Sequence, residues 1–401
     1  MPDSLPGLDD LDVKDRRVLV RCDLNVPLKD GEIVDDLRIR ASLETLEALL
    51  GRGARLAVCS HLGRPKGKIV DDLRLAPVGR RLADLLGKDV TILDEVTGKE
   101  VTEAARSDEA VILLENLRFD AREEDNDAQF ADELAGFAGA YVNDAFGSSH
   151  RAHASVVGVA ERLPSAAGLL LAGEVAKLGR LLDDPERPFV AVLGGAKVSD
   201  KLGVIGNLLE LVDALCIGGA MAFTLLAARG EDVGKSLVER DRLDETRAVL
   251  RAAEQRQVDV LLPTDVVAAD SPDEGAAHET VALDAIGDRM GVDIGPETSR
   301  AFAEKIQGAR TVLWNGPMGI FEIDAYARGT KAVAVAMAAV TDKGAYTVAG
   351  GGDSAAALKQ MELEDGVSHL STGGGASLEF LEGKDLPGVA ALRQTERKGD
   401  R

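Results

Sequence analysis

In the first half of the chain, arginines and histidines recur where an apolar run ends. They are Arg21, Asp23 and Asn25 in RCDLNVP, Arg38 in DDLRIR, His61 and Arg64 in SHLGRP, Arg118 in LLENLRFD, and His150, Arg151 and His153 in SSHRAH. A guanidinium is a planar fork of donors that matches carboxylate and phosphate oxygens two at a time. A single arginine of this kind is ordinarily a surface ion pair, but several at successive strand ends converge on one crevice and make an anion site. In the second half the comparable positions carry glycines: GGAKVSDK at 194–201, GGGDSAAALKQ at 350–360 and STGGGASLEF at 371–380. Glycine lets the backbone approach a phosphate, and a helix N-terminus adds free N–H donors and about half a positive charge. One such cluster is an ordinary βα turn, whereas three on one sheet suit a polyphosphate. Lys197 and Lys201 flank the first cluster; if both lie on the first turns of a helix, they share a face and offer compact charge to phosphate oxygens. Asp353 follows three glycines and is a candidate ligand for Mg²⁺, which takes one or two carboxylates plus phosphate oxygens. Alternatively, Asp353 or Ser354 caps the following helix. Glu322 either accepts from a ribose or is merely exposed, and Trp314 reads as buried packing.

These residues need strands and helices to hold them. Short β-branched runs, each followed by a turn and a helical pattern, recur along the chain: RRVLVRCDLNV, RLAVCSHLG, AVILLENLRF and AYVNDAF, then PFVAVLGGAKV, DALCIGGAM, DVLLPTDVV, TVLWNGPMG, AYTVAGGGDS and SHLSTGGGAS. Nearly continuous apolar runs predict strands buried on both faces, and their alternation with helices predicts parallel sheets of βαβ units. Between the halves, Leu169, Leu170, Leu171, Val175, Leu178, Leu181 and Leu182 keep helical spacing, with Pro164 before them and Pro185 and Pro188 after. The expected division is 1–167 as a first lobe, 168–185 as a connecting helix and hinge, 186–385 as a second lobe and 386–401 as a C-terminal segment. Its charged end, RQTERKGDR, is expected to fray.

With 401 residues and 45% hydrophobic content, the chain can bury the cores of two or three domains. A formal net charge of -22 repels nucleic acid and anionic membrane surfaces, so any anion site depends on locally concentrated cations. No apolar run approaches the roughly 20 residues of a membrane span. Cys22, Cys59 and Cys216 form no CxxC pair; Cys22 and Cys59 lie in strand-like runs and read as buried packing. The acidic start MPDSLPGLDD lacks an apolar signal region, so a cytoplasmic location is expected. Several motifs fail on inspection. GKS at 234–236 lacks the P-loop glycine, since Arg229 stands in its place; GGGDS has Ala355 where a dinucleotide fingerprint needs glycine; and no HRD or DFG is present. The histidines show no metal-binding spacing. A dehydrogenase on a doubly wound fold and a two-lobed anion-binding protein without catalysis are the competing readings.

Taken in order, RCDLNVPL, SHLGRPKG, LLENLRF, DAFGSSHRAHAS, GGAKVSDK, WNGPMGIFE, GGGDSAA and STGGGASLE resemble the phosphoglycerate kinase family, over a stretch from about Arg17 to Leu392. The resemblance implies two doubly wound, Rossmann-like lobes joined by a helix, with a C-terminal segment returning to the first lobe. It implies reversible phosphoryl transfer between 1,3-bisphosphoglycerate and ADP, giving 3-phosphoglycerate and ATP with Mg²⁺, in glycolysis and gluconeogenesis, by a monomer whose lobes close on each other. By motif match, Asp23, Leu24, Asn25, Arg38, His61, Leu62, Gly63, Arg64, Arg118 and Arg151 would bind the phosphoglycerate. Lys197, Lys201, Gly291, Asn315, Glu322, Gly351, Gly352, Asp353 and Ser354 would bind the nucleotide, with Asp353 on the metal. Arg38, Lys197, Lys201, Gly352, Gly374 and Gly375 would stabilise the phosphoryl group in transit. RCDLNVP departs from the commoner RVDFNVP, and GGGDS from GGGDT; the first changes packing and the second keeps a hydroxyl.

Overall fold

Val18, Leu19 and Val20 are wholly buried, as are Leu56, Ala57 and Val58 further along the chain. Strands covered on both faces have no reason to alternate, hence the unbroken apolar runs. The computed structural model describes residues 5–399; residues 1–4, at the start of the acidic stretch, and residues 400–401 lie outside it. It divides into two units, the first containing the chain up to Ala176 together with the segment from Asp385 onward, the second running from Lys177 to Lys384.

In the first unit the strands are β1 (Arg17–Arg21), β2 (Leu28–Lys29), β3 (Glu32–Ile33), β4 (Arg55–Cys59), β5 (Thr91–Ile92), β6 (Val111–Leu113), β7 (Ala140–Asn143) and β8 (Ser165–Ala167). β2 and β3 form a small antiparallel hairpin. The other six make one sheet in the order β5-β6-β4-β1-β7-β8, parallel at every pairing. The chain leaves β1 toward β4 and leaves β7 toward β8, so the winding reverses between β1 and β7. A ligand crevice opens outside the carboxyl ends of strands at such a reversal. Cys22 and Cys59 are buried and unbridged, as expected. The helix Pro387–Gly399 completes this unit, with Leu386, Val389 and Leu392 buried and Gly388 N donating to Ser149 O at 2.9 Å. The end expected to fray is thus helical as far as Gly399.

The second unit contains β9 (Phe189–Leu193), β10 (Ala214–Ile217), β11 (Asp259–Leu261), β12 (Asp265–Ala269), β13 (His278–Ala282), β14 (Met290–Ile294), β15 (Thr311–Asn315), β16 (Tyr346–Gly350) and β17 (His369–Ser371). Its main sheet, β11-β10-β9-β15-β16-β17, is again parallel throughout and reverses between β9 and β15. The run DVLLPTDVV, expected as one strand, is two. Pro263 separates β11 of the main sheet from β12, which is the centre of an antiparallel sheet β13-β12-β14. Proline has no N–H for a ladder, so the run breaks there. Trp314 is fully buried in β15, its indole N–H donating to Gly316 O at 2.8 Å. The helix predicted by leucine spacing runs Leu169–Asp183 and crosses from the first unit into the second. Both units are therefore doubly wound α/β lobes joined by a helix.

Candidate active site

In the first unit the candidates come together at the carboxyl ends of β1, β4, β6 and β7. Asp23 and Asn25 follow β1, His61 follows β4, Arg118 follows β6 and Arg151 follows β7. Arg38, near the start of the helix Leu37–Gly51, pairs with Asp23 at 2.5 Å. Asn25 Oδ1 accepts from Gly63 N at 2.9 Å, and Arg118 Nη1 donates to Gly63 O at 2.7 Å, so Gly63 is held from both sides. Arg118 also lies 3.2 Å from Glu124. Leu24 and Leu62 are buried and contribute only backbone, which is itself engaged: Leu24 N donates to Ser60 Oγ at 2.9 Å and Leu62 N to Asn116 Oδ1 at 3.1 Å. Arg64 is exposed and Arg151 half-buried, its Nε 3.2 Å from His150 Nε2. Arg21, expected among the anion-facing arginines, is instead fully buried.

Burial alone would raise the Asp23 carboxyl, but Arg38 and Arg21 outweigh it and hold the group below the ordinary range, ionised. His61 moves the other way. Burial drives it well below its ordinary value, and Arg21, Arg118 and Arg38 add to this against Asp23. His153 falls to about 3 through burial and the neighbouring arginines. The positive charge around Asp23 therefore comes from guanidinium groups, and His61 and His153 are neutral donors or acceptors.

In the second unit the glycine clusters lie at the carboxyl ends of β9, β16 and β17. Gly351 has φ +93°, which a side chain would strain, and it introduces the helix Gly352–Gln360. Asp353 is exposed on the first turn of that helix, and Ser354 is buried with its hydroxyl accepting from Gly316 N at 2.7 Å. Neither side chain caps the helix; Gly351 holds the N-cap position. Asn315 is 2% exposed and its amide donates to Gly350 O at 2.8 Å, so it ties β15 to β16. Gly374 and Gly375 begin the helix Gly375–Leu381. Lys197 and Lys201 do not share a helical face. The helix starts at Leu202, Lys197 lies exposed in the preceding loop, and Lys201, in the N-cap position, is 8% exposed. Burial pushes the Lys201 ammonium down to about 8, against the opposing pull of Asp353 and Asp200.

Gly291, Glu322 and Asp353 line one cavity of about 360 Å³ with Gly195, Gly219, Phe223, Val292 and Met318. The wall is largely apolar, with acidic side chains at Asp293, Glu322 and Asp353. A methyl group on Gly291 would lie 2.0 Å from the Phe223 ring, so glycine there keeps space for the aromatic wall. Lys197, Lys201, Gly374 and Gly375 are not part of this lining. Among the described residues no cluster of three or more metal-ligating side chains exists. Asp353, exposed on the first turn of its helix, offers one carboxylate, a donor that fits Mg²⁺ brought in by phosphate oxygens.

Sequence reasoning missed the residues that hold these groups. Glu239 grips the lysine loop, accepting from Ser199 N at 3.0 Å and Ser199 Oγ at 2.6 Å. Asn116 fixes the His61–Arg64 turn through Leu62 N, Leu62 O and Arg118 N. Glu123 and Ser155 lie buried behind Arg21. Each acts across tens of residues of chain, and local spacing carries no such signal.

The family model for phosphoglycerate kinase matches residues 8–384. The chain is 57% identical to the phosphoglycerate kinase of Rubrobacter xylanophilus over 389 residues, covering 96% of this chain and 98% of the relative. It is 55% identical to that of Moorella thermoacetica, with the same coverage of each. Among solved structures, the phosphoglycerate kinase of Coxiella burnetii superposes with a TM-score of 0.88 at 41% identity, covering 97% of this chain and 99% of the other. That of Pyrococcus horikoshii gives 0.82 at 31% identity, covering 98% and 100%. With a family match over nearly its whole length and relatives of this identity, the chain belongs to the phosphoglycerate kinase family.

Proposed function

We propose that the arginine half-site binds 3-phosphoglycerate and 1,3-bisphosphoglycerate, that the glycine-and-lysine half-site binds ADP and ATP, and that the protein transfers the phosphoryl group between them. The observation that carries the reading is the division of labour on two reversal points: guanidinium groups around β1 and β7, and an apolar cavity with glycine turns around β9 and β15. The nucleophile is an ADP phosphate oxygen in one direction and a carboxylate in the other. Both are ionised at neutral pH, so no general base is required. Transfer passes through a loose, highly charged transition state, for which positioning and electrostatics do most of the work.

Asp23 holds Arg38 in place, and Arg38 supplies charge to the phosphoryl oxygens. Asn25 and Arg118 fix Gly63 and with it the His61–Arg64 turn. Arg64 and Arg151 complete the cluster, with Leu24 and Leu62 serving through their backbone. Lys197 and Lys201 meet the nucleotide phosphates, with the amides of Gly351, Gly352, Gly374 and Gly375; Gly291 and Glu322 border the nucleoside, and Asn315 and Ser354 keep β15 and β16 in register. Asp353 would hold Mg²⁺, which when bound neutralises phosphate charge. Because the half-sites belong to separate units, in-line transfer needs closure about the helix Leu169–Asp183, which also excludes water from an acyl phosphate. The reading includes a monomer, a cytoplasmic location, and lobes spanning 1–167 and 186–385 with 168–185 as hinge.

A coupled assay tests it. The expected result is ADP formation that requires both 3-phosphoglycerate and ATP. Reduction of NAD without ATP consumption would instead favour a dehydrogenase, and ligand binding without turnover an anion-binding protein. Solution scattering unchanged by the two substrates together would count against closure.

A further inference from the structure

Arg21 is fully buried, yet each of its three nitrogens has a partner. Nε donates to Ser155 Oγ at 2.9 Å, Nη1 to the Cys22 carbonyl, and Nη2 lies 3.2 Å from His61 Nδ1 and 3.5 Å from Ser148 Oγ. A guanidinium has no acceptor and does not deprotonate in a protein, so the contact with His61 runs one way and Nδ1 must accept. A neutral imidazole that accepts at Nδ1 carries its hydrogen on Nε2. Protonating both nitrogens would set N–H against N–H here, and Arg118 and Arg38 repel a further cation at the same place, against Asp23 alone.

The lock has a backing. Ser155 accepts from Arg21, so its own hydroxyl hydrogen is free to go to Glu123 Oε1, 2.6 Å away, while Ser155 N donates to Glu123 Oε2 at 3.0 Å. Glu123 is fully buried; burial pushes its carboxyl up, and Arg21, one residue removed along the chain of hydrogen bonds, pulls it back down ahead of the bonds from Ser155. Each link from Glu123 through Ser155 and Arg21 to His61 therefore has a defined direction.

We propose that Arg21 is a positioning residue that holds His61 in its Nε2–H tautomer, as a neutral donor to an oxygen of the phosphoglycerate. The ligand in this statement rests on the half-site reading above; the tautomer does not. An uncharged donor orients the ligand without adding to the repulsion among the arginines.

Nitrogen-15 NMR of the ligand-free protein tests it directly. At about pH 7 the His61 Nδ1 shift should be that of an unprotonated nitrogen and Nε2 that of a protonated one, with no titration of His61 in the ordinary histidine range. Arg21→Met removes the donors; the pattern should give way to a tautomer mixture, and KM for 3-phosphoglycerate should rise about tenfold with KM for ATP unchanged. Arg21→Lys keeps a donor and should restore the wild-type pattern. A wild-type His61 with hydrogen on Nδ1, or on both nitrogens, overturns the proposal, as does a folded Arg21→Met protein with unaltered pattern and KM. Should that variant fail to fold, the wild-type spectrum still decides. A wild-type protein with the Nε2–H tautomer that binds no 3-phosphoglycerate by calorimetry upholds the lock and overturns the half-site reading.

Discussion

Lys201 carries a cation in a place that strips its water. It is 8% exposed, and burial lowers it from 10.5 to about 8, only partly opposed by Asp353 and Asp200. That difference corresponds to about 3 kcal/mol. The unfolded chain keeps the proton to about pH 10.5, while the folded protein releases it near 8. Between these values the unfolded state binds more protons, so this residue makes stability rise with pH, and below pH 8 the full penalty is present. Lys201→Met keeps the length and removes the charge. At about pH 7 the ligand-free variant should be more stable than wild type by up to about 3 kcal/mol, and the gain should shrink as pH climbs toward the unfolded value. ADP and ATP affinity should fall at the same time, because the phosphates lose their buried cation. Urea titrations in metal-free buffer at several pH values, with calorimetry for nucleotide, measure both. A variant no more stable than wild type at neutral pH, or a gain that ignores pH, would falsify the burial argument; unchanged nucleotide affinity would remove Lys201 from the site.

Arg38→Ala should lower kcat by about a hundredfold or more with the fold intact by circular dichroism, since the side chain is about one-third exposed; near-normal turnover would take Arg38 out of the mechanism. Gly291→Ala places a methyl 2.0 Å from the Phe223 ring and should weaken nucleotide binding about tenfold while sparing 3-phosphoglycerate, as calorimetry with each ligand would reveal. Equal loss of both ligands would mean general damage instead. Asp144, pushed up to about 7 by burial, has one carboxyl oxygen without a hydrogen-bond partner. From pH 3.8 to 7 the folded state holds a proton the unfolded state lacks, so stability falls as pH rises through that window. Asp144→Asn should therefore gain up to about 4 kcal/mol over wild type in melts near pH 8 and lose that advantage near pH 4.

Much of this was legible in the chain itself, for a physical reason. Val18–Val20 and Leu56–Val58 are buried on both faces, so their composition announces central parallel strands. The ligand-facing positions follow because strand ends are where such sheets hold ligands. The antiparallel sheet was not legible: β13 is mostly exposed, and only Pro263 marks where the chain leaves the main sheet. The spacing of Lys197 and Lys201 misled because the helix begins only at Leu202, one residue after Lys201 and five after Lys197. Arg21 shows the deeper limit. Its type and place matched those of the ligand-facing arginines, and only the long-range partners Ser155 and Ser148 mark it as interior.

The helix Pro387–Gly399 belongs to the first unit although the whole of the second precedes it in the chain. On the ribosome this is a matter of timing. Some 200 residues separate the two parts of the first unit, a wait of roughly 10–40 s at about 5–20 residues per second. Throughout that interval the surface that will receive Leu386, Val389 and Leu392 has no cover, while the second unit is complete in sequence as soon as Lys384 has emerged. Final burial in the unit begun first thus waits until the whole of the second has been made, and its exposed apolar surface is a site for chaperones or premature association until Pro387–Gly399 has emerged.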